Sequence, residues 1–307
     1  MDAKITRKRL SDFLAYEWIV MIVAVLVAVL LWEALFSLTA VRLSPGQTYY
    51  ILYGSGVVPK SNLAEESKEG VFSYDVIGGV IAEDASYETA VLFAKIDTFI
   101  ADALITTTSR AAHIIDNRKV CDLDSLYLSA KEYVGSFYDG DAINAERVAE
   151  KFSERMKNDN RFKTESEKAE GVLLEVARIE KLKKDVSDLG AFLENAREEE
   201  FYRYTRFYNT YENAAEENKE SYRGLYEKEI AEGREDLKYG LAVSELSGGE
   251  HDPTEYFKKE DETEQADEKI VILLFDQRTI DGKENVLFYE NASFICKILK
   301  LCSNYIA

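Results

Sequence analysis

Residues 96–126 read IDTFIADALITTTSRAAHIIDNRKVCDLDSL. Leu92, Phe93, Ile96, Phe99 and Ile100 recur at helical spacing, so a helix is expected over 87–101, capped by Asp84 or Ser86. Asp102 ends it. Ala103, Leu104 and Ile105 then make a short apolar strand. Thr106, Thr107, Thr108 and Ser109 follow, and a second helix opens at Arg110. Helix, strand and helix in this order build an open α/β sheet. Ligands of such sheets bind beyond the carboxyl ends of the strands, where a helix amino terminus offers unpaired N–H groups. Thr106, Thr107, Thr108, Ser109 and Arg110 are therefore the candidate ligand-binding residues. The hydroxyls donate and accept hydrogen bonds, and Arg110 suits a carboxylate. The plainer reading is that Thr107 or Ser109 only caps the helix.

Working outward, TYYILYGSG at 48–56 is strand-like and ends in a glycine turn. No Gly-Lys-Ser/Thr follows it, so it is no phosphate loop. VFSYDVIGGVIA at 71–82 is a second strand candidate. From 141 to about 235 the pattern turns helical. Val172, Val176, Ile179, Leu182, Val186, Leu189 and Leu193 form one apolar stripe, with charged residues filling the rest. The run 201–211 holds Phe201, Tyr202, Tyr204, Phe207, Tyr208 and Tyr211, interleaved with Arg203 and Arg206. It reads as helix packing, or as a stacking surface for sugars or bases. HDPTEYFKKEDETEQADEK at 251–269 reads as a charged surface loop. KIVILLFD at 269–276 is a strand of the kind buried on both faces. A terminal helix is expected over 294–302.

At the other end, residues 18–41 read WIVMIVAVLVAVLLWEALFSLTAV, 24 residues with one charge, Glu33. As a helix they rise about 36 Å, enough for a hydrocarbon core of about 30 Å. Lys4, Arg7, Lys8 and Arg9 precede the run, and Arg42 follows it. Basic flanks stay cytoplasmic. A single-pass plasma-membrane protein is expected, with a cytoplasmic N-terminus and residues 42–307 extracytoplasmic. A cleaved secretory signal is the competing reading. The run is long for one, and SLTAV is a poor cleavage site.

The net charge is −19, and the first 41 residues carry four charges of each sign. The whole excess therefore falls on residues 42–307. That surface repels nucleic acid, so no nucleic-acid partner is expected. Cys121, Cys296 and Cys302 each stand among apolar neighbours and read as small buried hydrophobes. His113 and His251 lack a second ligand at metal spacing, and no hydrolase, zincin or redox motif occurs. The expectation is no enzyme, no catalytic residue, no metal and no cofactor. Asn291-Ala292-Ser293 is a glycosylation sequon by pattern alone.

The order of elements resembles extracellular solute-binding proteins of the type 2 periplasmic-binding fold. Residues 102–107 are similar to a strand of that family and 110–117 to the helix after it. Asp122-Leu123-Asp124 is similar to the turn that closes the unit. Tyr239-Gly240-Leu241, KIVILLFD and the terminal helix resemble the return to the first lobe. The likeness covers 47–135 and 236–307. Thr106–Ser109 stand where the family has an acidic residue, a membrane span replaces a lipid-modified cysteine, and the middle segment is nearly all helix.

The resemblance implies the α/β extracytoplasmic domain; with the residue patterns read above, the expected fold is that domain with a mostly helical insertion, plus one N-terminal transmembrane helix. The divisions are a cytoplasmic 1–17, a span over 18–41, an α/β lobe over 42–140, a helical segment over 141–235, and a return to the lobe over 236–307. The expected function is membrane-tethered, non-enzymatic solute binding. The alternative is a partner subunit of a cell-surface or transport complex, acting through the helical segment. On this topology a cysteine at position 60 reacts with a membrane-impermeant thiol reagent on intact cells, and one at position 5 does not. Reversed labelling would overturn the orientation.

Overall fold

The computed structural model describes residues 11, 18–39, 48–54, 56–61, 63–71, 75–80, 85–98, 100–117, 119–155, 162, 164–204, 215–233, 236–259, 268–280 and 283–306. The chain divides into two units, Met1–Arg42 and Leu43–Ala307. In the first, helix α1 runs Trp18–Thr39. From Trp18 to Trp32 it is apolar around its whole circumference, and every side chain described on it, 18–33, is exposed. Among the described residues no helix meets the length and hydropathy of a membrane span. The basic flanks, Lys4, Arg7, Lys8, Arg9 and Arg42, lie outside the described residues.

The second unit is a mixed α/β fold. Its first part runs β1 (Thr48–Tyr53), β2 (Val57–Pro59), α2 (Leu63–Val71), β3 (Asp75–Val80), α3 (Ala85–Asp97), β4 (Ala103–Thr107), α4 (Thr108–Asn117), β5 (Val120–Cys121) and α5 (Leu123–Gly135). A short hairpin of β6 (Tyr138–Asp139) and β7 (Ala142–Ile143) leads to α6 (Ala145–Arg155) and α7 (Glu165–Asn195). Then come β8 (Phe201–Arg203), α8 (Glu216–Ala231), β9 (Lys238–Ala242), β10 (Phe257–Lys259), β11 (Ile270–Phe275), β12 (Thr279–Ile280), β13 (Lys283–Glu284) and α9 (Leu287–Cys302).

The main sheet has the order β3-β1-β4-β11-β9-β8, with β5 also paired to β11. β3 and β4 both run parallel to β1, at Tyr50↔Ile77 and Leu52↔Leu104. Parallel neighbours need crossover connections, which α2 and α3 supply. β11 arrives from late in the chain and lies antiparallel to β4, with Ile272 opposite Ile105. All six residues of β11 are buried. Ile270, Ile272 and Leu274 join the core under α5, α6, α7 and α9. Val271, Leu273 and Phe275 join the core under α3 and α4. A central strand covered on both faces is apolar throughout, as KIVILLFD is.

Helix α7 starts with a capping box, in which Thr164 accepts from the Glu167 N–H and the Glu167 carboxylate accepts from the Thr164 N–H. Its stripe of Ile179, Leu182, Val186, Leu189 and Leu193 is buried in the same cluster as the sheet. Gly190 lets α5 come close, since a Cβ there would stand 2.7 Å from the Tyr127 ring. The charged residues of α7 do not all face water as the sequence reading has them. Glu175, Arg178 and Asp185 are buried.

Arg178 donates to Glu175 at 2.7 Å and 3.0 Å, to Glu290 of α9 at 2.5 Å, and to the Tyr133 hydroxyl of α5 at 3.2 Å. Burial alone would lower the Arg178 pKa, but the two carboxylates outweigh it and keep the guanidinium charged. Two turns on, Asp185 accepts from Ser293 at 2.7 Å and is paired with Lys181 and Lys300. Removing one partner of such a buried group costs roughly 3–5 kcal/mol, because the other charge stays uncompensated.

Two further expectations are corrected, and the sequon is placed. Residues 201–203 form an edge strand and not a helix. Tyr202 pairs with Gly240 across β9, and aromatic side chains favour a pleated, half-buried surface. Tyr256 and Phe257 are buried, and β10 pairs with β2, so the segment after His251 is only partly a surface loop. Asn291 is buried inside α9 and accepts from the Tyr49 hydroxyl at 2.5 Å, which closes the sequon to modification in the folded chain. The three cysteines are free and buried, as their apolar neighbours suggest.

Asp102, just before β4, is buried and accepts from the Tyr50 N–H at 2.7 Å. Burial pushes its carboxyl from 3.8 up to about 8, against the pull of that hydrogen bond. The folded chain therefore holds a proton that the unfolded chain releases near pH 4. Stability falls as pH rises through the window between those two values. Unfolding measured from pH 4.5 to 8 is expected to show this slope in the native chain and a flatter one in Asp102→Asn, where the amide oxygen still accepts from Tyr50. Parallel pH curves would contradict the assignment.

Candidate functional site at the carboxyl end of strand β4

Strand β4 passes into α4 without a loop, so the hydroxyl run straddles the junction. Thr106 and Thr107 are the last strand residues, 1% and 3% exposed, paired across the ladder with Val271 and Ile270. The glycine turn after β1 folds over them. Gly56 has φ +84°, and a Cβ there would lie 3.2 Å from the Thr107 methyl. Thr108 and Arg110 are half-buried on the first turn of α4, and Ser109 is exposed between them. The structure thus keeps the five candidate residues together but turns Thr106 and Thr107 into the interior.

The amino end of α4 is engaged by the segment before β11. The Thr108 N–H donates to the Lys269 carbonyl at 3.0 Å, and the Lys269 N–H donates to the Thr108 hydroxyl at 3.4 Å. Glu268 accepts from the Ser109 N–H at 3.3 Å and from the Ser109 hydroxyl. The Thr107 and Ser109 hydroxyls are 3.2 Å apart. Burial would raise the Glu268 carboxyl, but the hydrogen bonds of Ser109 and Thr107 outweigh it and hold the group below its ordinary value. A carboxylate at a helix amino terminus is also stabilised by the helix dipole. The position read as an anion site is therefore filled by the chain's own Glu268.

Beside this junction lies a shallow groove of about 540 Å³ lined by Thr108, Glu198, Glu199, Phe201, Tyr202, Arg203 and Lys269. It joins the end of the hydroxyl run to the start of the aromatic and arginine run, two features read separately in the sequence. The Tyr202 hydroxyl donates to the Thr108 carbonyl at 3.2 Å, and the Tyr204 hydroxyl donates to Asp116 at 2.9 Å. These bonds tie edge strand β8 to α4. Arg203 pairs with Glu198 at 2.8 Å and donates to the Asp236 carbonyl at 2.7 Å. Lys269 reaches Glu245 at 3.5 Å and the Glu199 carbonyl at 3.4 Å. Phe207, Tyr208, Tyr211 and Arg206 lie outside the described residues.

Among the described residues no group of His, Cys, Asp and Glu is placed to hold a metal ion. His113 is exposed and stacks on Phe93 at 6.0 Å between ring centres. His251 bonds Glu255 at 2.9 Å. The sequence reading missed Glu198, Glu199, Glu268 and Lys269. Nothing local marks them. They reach the site only because β11 lies beside β4 and β8 lies at the sheet edge.

No protein-family model, no curated protein and no solved structure matches the chain.

If Glu268 fills the amino end of α4, Glu268→Ala opens that end to an external anion. Phosphate at tens of millimolar is expected to raise the melting temperature of this variant and leave the native chain unchanged. The variant without phosphate is expected to lose about 1 kcal/mol, the worth of a helix cap. A native chain that responds to phosphate as strongly as the variant would contradict the capping role.

Proposed function

We propose that the chain is a membrane-tethered, non-enzymatic binding protein, a divergent relative of extracellular solute-binding proteins. In this reading α1 is a single span with its N-terminus in the cytoplasm, and residues 42–307 are extracytoplasmic. The solute is held in the groove at the carboxyl end of β4. One observation carries the reading: Thr108 of the hydroxyl run and Tyr202, Arg203 and Lys269 line the same groove. Lining groups of both charge signs, with a hydroxyl and aromatic faces, suit a small polar ligand that has both donors and acceptors, such as an amino acid or short peptide. The mixed sheet, with its antiparallel β11 returning from the end of the chain, is compatible with one lobe of the resembled fold.

A second reading is favoured by the packing of the middle segment. Helices α5, α6 and α7 lie on the one large sheet and share its core. None of the residues that line the groove is on these helices, and Glu268 engages the amino end of α4. In this reading the protein works as a partner subunit of a cell-surface or transport complex through its helical segment, with no enclosed ligand.

The full chain in detergent micelles is the sample that separates the two. A melting-temperature screen with amino acids, short peptides and sugars is expected to give a rise with one class, because a ligand bound only by the folded form stabilises it. Lys269→Ala is expected to cut that rise while the melting point without ligand moves little. No response to any class would remove the solute reading and leave the partner reading.

A further inference from the structure

We infer that Glu33 is the contact point for a second membrane helix that carries a basic side chain at the same depth. The inference rests on the reading of α1 as a membrane span. The helix does not end at Trp32, where an interfacial tryptophan would mark the head-group level; it continues to Thr39. Glu33 therefore lies about 7 Å along the axis from the midpoint of a helix about 33 Å long. That places it well inside a hydrocarbon core of about 30 Å, with apolar Ala34, Leu35, Phe36 and Leu38 beyond it. A carboxylate at this depth is costly unless a donor meets it.

Nothing on α1 itself supplies a cation. The segment 18–39 contains no Lys, Arg or His. A polar side chain on an otherwise apolar helix is a contact by which membrane helices find each other.

Charge selects the occupant. A second copy of this chain would bring another Glu33 to the same depth and another domain of net charge near the whole chain's −19 beside the first. Both repel. A different helix with Lys, Arg or His at that level meets the carboxylate with opposite charge and a hydrogen bond.

The test uses the full chain reconstituted in neutral phosphatidylcholine vesicles with one of two synthetic probes. One is a leucine-rich transmembrane peptide with a single Lys at the level of Glu33. The other is the same peptide without it. Flotation with the vesicles after carbonate washing reads insertion, and energy transfer from the labelled chain to the labelled peptide reads association. The Lys peptide is expected to associate at least about fivefold more strongly than the plain peptide, the measure of one interhelical polar contact. Glu33→Leu is expected to abolish the preference while flotation is unchanged. Equal association of both peptides would overturn the inference. Self-association of the chain that Glu33→Leu abolishes would also overturn it, in favour of a second copy. Failure of the native chain to float would instead remove the span reading, and this inference with it.

Discussion

The buried guanidinium of Arg178 is the constraint that the second unit is built around. It stands on α7, binds Glu175 on its own helix, Glu290 on α9 and the Tyr133 hydroxyl on α5. Three helices from three parts of the chain thus meet at one side chain. The arrangement carries little net stability, since burying ions is itself costly. Its effect is on register. A shift of α7 by one turn would leave Arg178, Glu175 and Glu290 unpaired in the interior, and it would also carry Gly190 away from the Tyr127 ring, where a Cβ has no room. Asp185, held by Ser293 and Lys300 of α9, repeats the constraint two turns away.

From this follows the position of the groove. With α7 held against α9, the chain leaving α7 at Asn195 is delivered to the sheet edge. There Arg197 and Tyr305 fix Glu200, with the Tyr305 hydroxyl donating at 2.8 Å. Strand β8 begins at the next residue and pairs with β9. Phe201 packs on Phe192 of α7, at 5.4 Å between ring centres, and Tyr202 reaches across to α4. The groove is thus a product of the helical layer as much as of the sheet.

Much of the sheet was legible from local pattern. The strand read at 103–105, the helix after it and the fully apolar KIVILLFD each carry their own pattern, though the strand runs on to Thr107 and the helix opens at Thr108, two residues before Arg110. The stripe of α7 was legible for the same reason. What escaped was set by contacts distant in sequence. Glu175, Arg178 and Asp185 look like solvated residues in a charged helix, and only the arrival of α9 buries them. Glu268 looks like the end of an acidic linker, and only the pairing of β11 with β4 brings it 159 positions back to Ser109. The run at 201–203 has helical as well as strand character, and its place beside β9 decides for strand. The hydroxyl run does stand at the carboxyl end of β4, but the amino end of α4 beside it, read as open, is engaged by Glu268 of the same chain.

The claim beneath this account is that the helices of the middle segment and the sheet are one cooperative structure. Native-state hydrogen exchange on the full chain tests it directly. The account predicts that backbone amides of α7 around 178–190 and those of β11 at 271–274 open with the same free energy and the same denaturant dependence. Amides of α7 that exchange by a separate opening of much lower free energy, while β11 stays protected, would contradict it.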